Sequence, residues 1–341
     1  MTTVKAWAAL SPGTKLDPYT YTLSSPGPEE AEIRVDYCGI CHTDLSFLHN
    51  ELGIIPFPLV AGHEIIGTVV SLGEVAKQKG LHVGQTVGLG WNKESCGHCD
   101  PCLEGSQHLC TNLKATIMGN HGGFASHVKA HWLWTVPIPE KLNAADAGPL
   151  LCAGITVFSP LMQFGVKPTD RIGIFGIGGL GHLAVQFAHA WGAEVTAFSS
   201  SVHKYEDIRK LGADHVVSSK DRGEWEALKG RFDLILITAS APLEWDKIIA
   251  MLGPKGRLHF LGVVYEPVPV SVVQLLLSLV SVSASPVGTR SEIGKMLEFA
   301  ARHNIGPIVE HRPMSEINEA IAYVEEGKAN YRVVLDADFT P

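Results

Sequence analysis

Over the first 150 residues, apolar and polar positions alternate in short runs, at 32–37, 65–71 and 85–89, and this two-residue period predicts β-strands. Glycine and proline punctuate the runs and helical periodicity is sparse, so the region reads as an irregular β domain. From about residue 169 the texture changes. Apolar runs at 171–175, 194–199, 215–218, 232–238 and 257–263 alternate with helix-length segments at 180–191, 205–211 and 243–252. That alternation predicts βαβ units and a parallel sheet of six or so strands, an α/β architecture with a doubly wound sheet. Gly253-Pro254-Lys255-Gly256 reads as a turn. Beyond Gly288, two amphipathic helices at 291–303 and 315–325 precede a strand at 331–337.

A length of 341 residues exceeds one ordinary core, which favours two domains. With 45% hydrophobic and 18% charged residues the chain lies far from the composition of disordered segments. A net charge of −8 argues against a broad nucleic-acid or anionic-membrane surface, since phosphate binding needs clustered Lys and Arg. The first ten residues lack the apolar region of a secretion signal, and the apolar stretch 271–287 is broken by Gln274 and several serines, short of a membrane span. The expectation is a soluble, cytoplasmic protein. Seven cysteines, an odd number with four of them crowded together, suit metal binding better than disulfides.

Cys96, Cys99 and Cys102 are followed after seven residues by Cys110, which places four thiols on one loop, the donor set of a closed tetrahedral zinc site. A filled shell admits no substrate, so its expected role is to fold the loop. Such a loop also occurs in zinc-ribbon nucleic-acid binders, but Glu94, Asp100 and Glu104 beside it would repel phosphate. Cys41 and His63 are each weak signals taken singly, because buried Cys and His often belong to ordinary core. With the distant Cys152 they make a two-Cys, one-His set that leaves one coordination position for substrate, the arrangement of a catalytic zinc. Asp44 and Glu64 then fall into supporting positions, orienting a ligand imidazole or tuning the metal's charge. Cys38 belongs to neither set and is expected in the core. Trp91 either lines a substrate pocket or packs as core, and His98 is expected in solvent.

Gly176-Ile177-Gly178-Gly179-Leu180-Gly181 follows the strand at 171–175 and opens the helical segment at 180–191, the context in which this spacing binds a dinucleotide. Gly176 permits the tight turn, Gly178 lets backbone approach a pyrophosphate, and Gly181 lets the helix pack on the strand. At the end of the second strand an acid would bond the adenosine ribose. This chain reads Phe198-Ser199-Ser200-Ser201 there, with Lys204 just beyond. Three hydroxyls and an ammonium suit a ribose 2′-phosphate and hence NADP(H); the bland alternative is a solvated turn.

With these pieces in order, the chain resembles the zinc-containing medium-chain alcohol dehydrogenases, in particular the cinnamyl-alcohol-dehydrogenase-like branch that includes bacterial broad-specificity NADPH-dependent aldehyde reductases. The resemblance runs through Cys38 to Asp44, Ala61 to Gly67, the four-cysteine loop, Gly148 to Thr156, the glycine fingerprint, Phe198 to Ser201 and Tyr331 to Val334. It implies a GroES-like catalytic domain built from 1–151 and 288–341 and carrying both zinc sites, with a Rossmann NADP-binding domain at 152–287 to which Thr156 also contributes. It further implies two zinc ions per subunit, reversible reduction of small aldehydes to primary alcohols by hydride from NADPH, and a homodimer that pairs through the cofactor domain near 275–282. The competing assignments are a cinnamyl alcohol dehydrogenase proper and an NAD-linked polyol or secondary-alcohol dehydrogenase. One position departs from the pattern. Thr43 supplies the hydroxyl that relatives carry two residues after the first ligand, but where many place a histidine three residues later this chain has Ser46. The proton path beyond Thr43 then runs either through the nicotinamide ribose to water or to His49.

Overall fold

The computed structural model describes residues 1–339. Thr340 and Pro341, with which the expected catalytic domain ends, lie outside the described residues. The chain forms two compact units, one joining Met1–Ile155 to the chain from Val287 onward, the other Thr156–Pro286. Cys152, three residues before that boundary, is therefore part of the first unit together with the other cysteines.

The first unit is built on a seven-stranded sheet. Its order is Val309–Pro313, Arg332–Asp336, Glu30–Ile40, Glu64–Leu72, Thr86–Leu89 and Val136–Pro137, and His127–His131 also pairs with Glu30–Ile40. Every pairing is antiparallel except that of the two C-terminal strands. In Glu30–Ile40 the side chains of Ile33 and Val35 turn inward and Arg34 outward, until Cys38, Gly39 and Ile40 at the strand's end are all covered. The register sets Ile40 opposite Val333 and Gly39 opposite Glu64, so the end of this strand lies beside the starts of two others. Two smaller antiparallel pairs complete the unit, Thr2–Ala9 with Leu16–Leu23 and Asn92–Glu94 with Lys114–Ala115.

The second unit holds a six-stranded, wholly parallel sheet in the order His215–Ser218, Glu194–Ser199, Arg171–Phe175, Phe232–Ile237, Leu252–Phe260, Ser281–Ala284. The α/β reading with a doubly wound parallel sheet is borne out. Its two central strands are apolar and buried except for the half-buried Arg171 and Asp233, as strands covered on both faces must largely be. Phe175 and Phe198 stack at 3.9 Å in the core of this unit, with Trp225, Phe232 and Trp245 around them.

The turn expected at 253–256 does not form. Those residues lie within the strand Leu252–Phe260, whose pairing jumps from Phe232 opposite Leu252 to Leu234 opposite Arg257. A bulge with Lys255 at φ 65° absorbs the extra residues, so the turn-forming sequence bends a strand instead of ending one. The preceding helix is correspondingly short, Trp245–Ala250. The apolar stretch expected at a sheet edge divides into a helix, Val272–Ser278, and the edge strand Ser281–Ala284. Helix Arg290–His303 begins at a capping box, in which Thr289 Oγ1 accepts from the Glu292 N–H and Glu292 from the Thr289 N–H. No helix among the described residues is long and apolar enough to cross a membrane.

Candidate active site

Cys41 lies between the strand Glu30–Ile40 and the helix His42–Leu48, and His63 immediately precedes the strand Glu64–Leu72. Cys152 lies between a 3-10 turn, Gly148–Leu151, and the helix Ala153–Gln163. Two glycines let these segments close up. A Cβ on Gly39 would fall 2.1 Å from Glu64 Oε2, and one on Gly148 2.6 Å from the Glu64 carbonyl oxygen, so neither position has room for a side chain. As a result, one ligand atom from each of Cys41, His63, Glu64 and Cys152 lies within 4.8 Å of all the others. The two sulfurs are 3.9 Å apart and His63 Nε2 is 3.3 Å from Cys152 Sγ. Two sulfurs, an imidazole nitrogen and a carboxylate oxygen are the donors zinc prefers. Glu64 Oε2 is buried with no hydrogen-bond partner, an acceptor that a cation would satisfy. The residues fit a zinc ion.

Asp44, fully buried, organises this cluster. Its Oδ2 accepts from the Cys41 N–H at 3.0 Å, and its Oδ1 accepts from the Gly62 N–H at 2.8 Å and lies 2.9 Å from His63 Nδ1. The carboxylate thereby fixes the proton on Nδ1 and leaves Nε2 toward the sulfurs. Burial opposes a charge on His63, but Asp44 and Cys41 outweigh it and raise its pKa. The hydrogen bond shared with Cys152 holds Cys41 well below the usual thiol range, and the same contact, with burial, pushes Cys152 up. Burial raises Glu64 to about 6 against the pull of Arg332. Arg332 opens the strand Arg332–Asp336 and forms a buried ion pair with Glu64.

Trp91 stands edge-on to His63 with ring centroids 5.4 Å apart, and to Phe47 at 5.6 Å. It flanks the cluster on one side. Thr43 is half-buried in the first turn of the helix His42–Leu48, while Ser46 on the same helix is buried. His49 Nε2 lies 2.6 Å from Glu325 Oε1. Cys38 is fully buried outside the cluster.

The four sulfurs of Cys96, Cys99, Cys102 and Cys110 also lie within 4.8 Å of one another. Backbone amides point at them: the N–H groups of Cys96 and Asn112 donate to Cys110 Sγ at 3.3 and 3.4 Å. Hydrogen bonds from backbone amides, that of Cys102 foremost, bring Cys99 down to about 6. A loop whose amides favour the ionised form of Cys99 and reach the sulfur of Cys110 gathers four sulfurs, and this set too fits zinc. His98 is exposed, with Nδ1 2.9 Å from the Cys96 carbonyl oxygen.

Residues 27–140 match the alcohol dehydrogenase GroES-like domain, and residues 179–302 match the zinc-binding dehydrogenase family. Aldehyde reductase AdhA of Synechocystis sp. is 48% identical over 332 residues, which cover 97% of this chain and 98% of that protein. The chain belongs to the zinc-containing medium-chain alcohol dehydrogenases, in their cinnamyl-alcohol-dehydrogenase-like branch. Among solved structures, a cinnamyl alcohol dehydrogenase of Sorghum bicolor superposes with a TM-score of 0.92 at 34% identity, covering 98% of both chains. A CAD from Helicobacter pylori, solved as a complex with NADP(H), gives a TM-score of 0.89 at 29% identity, again covering 98% of both. The chain is thus a zinc-dependent alcohol and aldehyde oxidoreductase that works with a nicotinamide cofactor.

In this dehydrogenase the glycine fingerprint lies between the strand Arg171–Phe175 and the helix Gly181–Trp191, with Leu180 as the residue before the helix. Gly176 has φ 93°, and a Cβ on Gly181 would fall 2.0 Å from the Gly176 carbonyl oxygen, whereas Gly178 is exposed and a Cβ there would meet nothing within 4 Å. Gly179 is half-buried beside it, and Thr156 is buried at the start of the unit. At the end of the strand Glu194–Ser199, Ser199 Oγ accepts from the Ser201 N–H at 3.2 Å, so this hydroxyl braces the turn. Ser200 is exposed, and Ser201 and Lys204 are half-buried.

Sequence reasoning gave Arg332 no role. It lies in a segment that carries the family resemblance, but it enters the site through sheet register, from 268 residues beyond its partner Glu64. The chain's one local hint is an arginine directly before the apolar run Val333 to Leu335 in the strand Arg332–Asp336, which buries its first four residues.

Proposed function

We propose that this enzyme reduces a broad range of small aldehydes to primary alcohols with NADPH, and oxidises such alcohols in reverse. Cys41, His63 and Cys152 would hold the catalytic zinc, and Cys96, Cys99, Cys102 and Cys110 a second zinc that folds their loop. The observation that carries the reading is the convergence of two thiols, that of Cys152 half-buried, and a buried, Asp44-oriented imidazole in one cluster. When bound, zinc supplies Lewis acidity at a carbonyl oxygen and the nicotinamide supplies the hydride. Around that chemistry, Asp44 keeps His63 presenting Nε2, and Arg332 keeps the Glu64 carboxylate charged and in place. Trp91 places an aromatic ring that excludes water beside His63. Thr43 Oγ1 passes a proton to the substrate oxygen on reduction and takes it back on oxidation.

NADPH over NADH rests on the end of the strand Glu194–Ser199. No carboxylate stands among residues 200–205, and Ser200, Ser201 and Lys204 offer two hydroxyls and an ammonium to a 2′-phosphate, with Ser199 bracing their turn. Gly176, Gly178, Gly179, Leu180 and Gly181 would carry the pyrophosphate and Thr156 the remainder of the cofactor contact. The enzyme acts as a cytoplasmic homodimer through its cofactor domains. In support, the edge strand Ser281–Ala284 has one strand partner, and Leu276, Leu277 and Leu279 just before it are 69, 82 and 68% exposed.

Initial rates of the purified holoenzyme with NADPH and with NADH, across aliphatic, aromatic and cinnamyl aldehydes, test the reading. We expect kcat/KM to favour NADPH by at least about tenfold, roughly 1.4 kcal/mol. A preference for NADH would overturn the assignment of Ser200, Ser201 and Lys204, and turnover confined to cinnamyl aldehydes would make this a cinnamyl alcohol dehydrogenase proper.

A further inference from the structure

The first unit contains a pocket of about 380 Å³ whose lining includes no residue of either cysteine cluster. Leu23, Pro56, Pro58, Ile117 and Val128 supply apolar wall, while Lys93, Asn120, His121 and Lys129 supply polar groups, the Lys129 ammonium being already held by Glu30 at 2.8 Å and Ser24 Oγ at 3.0 Å. Lys93 stands on the short strand Asn92–Glu94, and its ammonium donates to Asn120 Oδ1 at 3.4 Å, a long bond to a neutral acceptor. The orientation of that amide is fixed from behind, because Asn120 Nδ2 donates to the carbonyls of Ala115 and Met118. The nearby carboxylates are engaged elsewhere: Glu30 with Lys129 at 2.8 Å and with the Gly27 N–H, Glu94 with Lys114 at 2.8 Å. No ion pair among the described residues includes Lys93. Burial accordingly brings Lys93 down to about 8 despite the pull of Glu30.

On the same pocket, His121 Nδ1 is buried and has no hydrogen-bond partner, while its ring packs on Tyr21 at 4.1 Å. Burial, reinforced by Lys93, lowers the pKa of His121 and keeps the ring neutral. An ammonium without a counter-ion and an orphaned imidazole nitrogen are both costly in a partly buried place, and each is relieved by one anionic acceptor. A phosphate dianion calls for more donors than one free ammonium and one imidazole, whereas a carboxylate needs no more than these. The walls then select what the carboxylate is attached to.

We propose that this pocket is a second ligand site that binds a small carboxylate with an apolar body, its oxygens on Lys93 and His121 and its body against Pro56, Pro58 and Ile117. The site stands apart from the zinc chemistry and does not depend on it.

Benzoate is a suitable probe, with benzamide as its uncharged counterpart. Acetylation of the holoenzyme at pH 8, followed by mass spectrometry of the peptides, reads Lys93 directly, with the exposed Lys114 as internal reference. Saturating benzoate should slow acetylation of Lys93 at least about fivefold by masking and protonating the amine, with Lys114 unaffected and benzamide inactive. An unchanged Lys93 rate overturns the proposal. Calorimetry provides the second arm, since benzoate also has a route to a zinc ion. Lys93→Met should weaken benzoate binding at least about tenfold, about 1.4 kcal/mol. Leu23→Trp, which fills the pocket and keeps the charge, should weaken it similarly, with aldehyde turnover in both variants within about twofold of the parent enzyme. Benzoate affinity unchanged in both variants would assign the binding to the zinc site and sink the pocket.

Discussion

The cluster of Cys41, His63 and Cys152, buried except at the half-buried Cys152, is assembled from separate segments and held by charged side chains, whereas that of Cys96, Cys99, Cys102 and Cys110 lies on one loop and is held by its own backbone. At the first, Asp44 fixes the imidazole, and Arg332 arrives from the last strand to hold Glu64. At the second, amides of Cys96 and Asn112 supply the hydrogen bonds to sulfur. The difference follows from what each must do. A site that keeps one position for substrate needs its ligands fixed by the surrounding fold, because the metal alone does not complete the cage. A site closed by four thiolates completes itself and contributes local stability. Damage to the two should therefore separate chemistry from stability.

The largest effect is expected at the buried cluster. Cys152→Ser should lower kcat/KM for aldehyde reduction at least about a thousandfold, roughly 4 kcal/mol of transition-state stabilisation, with far-ultraviolet dichroism unchanged. Activity within about tenfold of the parent enzyme would remove this cluster from the chemistry and dissolve the contrast.

Next in size is the support behind that cluster. Arg332→Met leaves the Glu64 carboxylate without its ion partner in the interior, which should cost about 3 kcal/mol of unfolding free energy by urea titration. Adding Glu64→Gln removes the stranded charge and should return a large part of that loss. A cost below about 1 kcal/mol for Arg332→Met would mean that the buried site is as self-sufficient as the loop.

These two regions also differ in how far they were legible. Four thiols within one short segment are a local pattern, and the structure gathers the same four sulfurs. Cys41, His63 and Cys152 had to be assembled from three separate segments, and only the glycine fingerprint and the family resemblance joined them. That Glu64 would offer a fourth ligand atom, and that Arg332 would pair with it, follows from the register of Ile40 opposite Val333 and Gly39 opposite Glu64, which no spacing along the chain encodes. The parallel sheet was legible for the opposite reason, since strands buried on both faces are largely apolar and need no register to be seen. The bulge at Lys255 was not, because its turn-like residues were read without the neighbouring strand that keeps them in the sheet.

A smaller effect is expected at the loop. Cys99→Ser should lower stability by about 2 kcal/mol, a Tm decrease of roughly 4–8 °C, through loss of a closed metal site. The folded fraction should keep kcat/KM for aldehydes within about twofold. A loss comparable to that of Cys152→Ser would show that the loop shapes the reacting site, and the division of roles would fail.

Both clusters depend on thiolates, so the contrast is sharpest when the fold's own pH dependence is known, and His311 is its clearest source. Partial burial works against the charged imidazolium, but hydrogen bonds to Asp146 at 2.9 Å and Asp336 at 2.7 Å outweigh it and raise the pKa. A group whose pKa is raised on folding contributes stability that is complete below its unfolded value, about 6.5, and is lost as pH rises through the higher folded value. Because the ring and its partners are about one-third exposed or more, solvent screening limits the contribution to roughly 0.5–1 kcal/mol. His311→Gln should therefore destabilise the enzyme by about that amount at pH 6 and by much less at pH 8.5. Urea titrations at the two pH values measure the difference directly. An equal loss at both would mean that His311 acts through packing alone, and pH effects on either cluster would then need no correction for it.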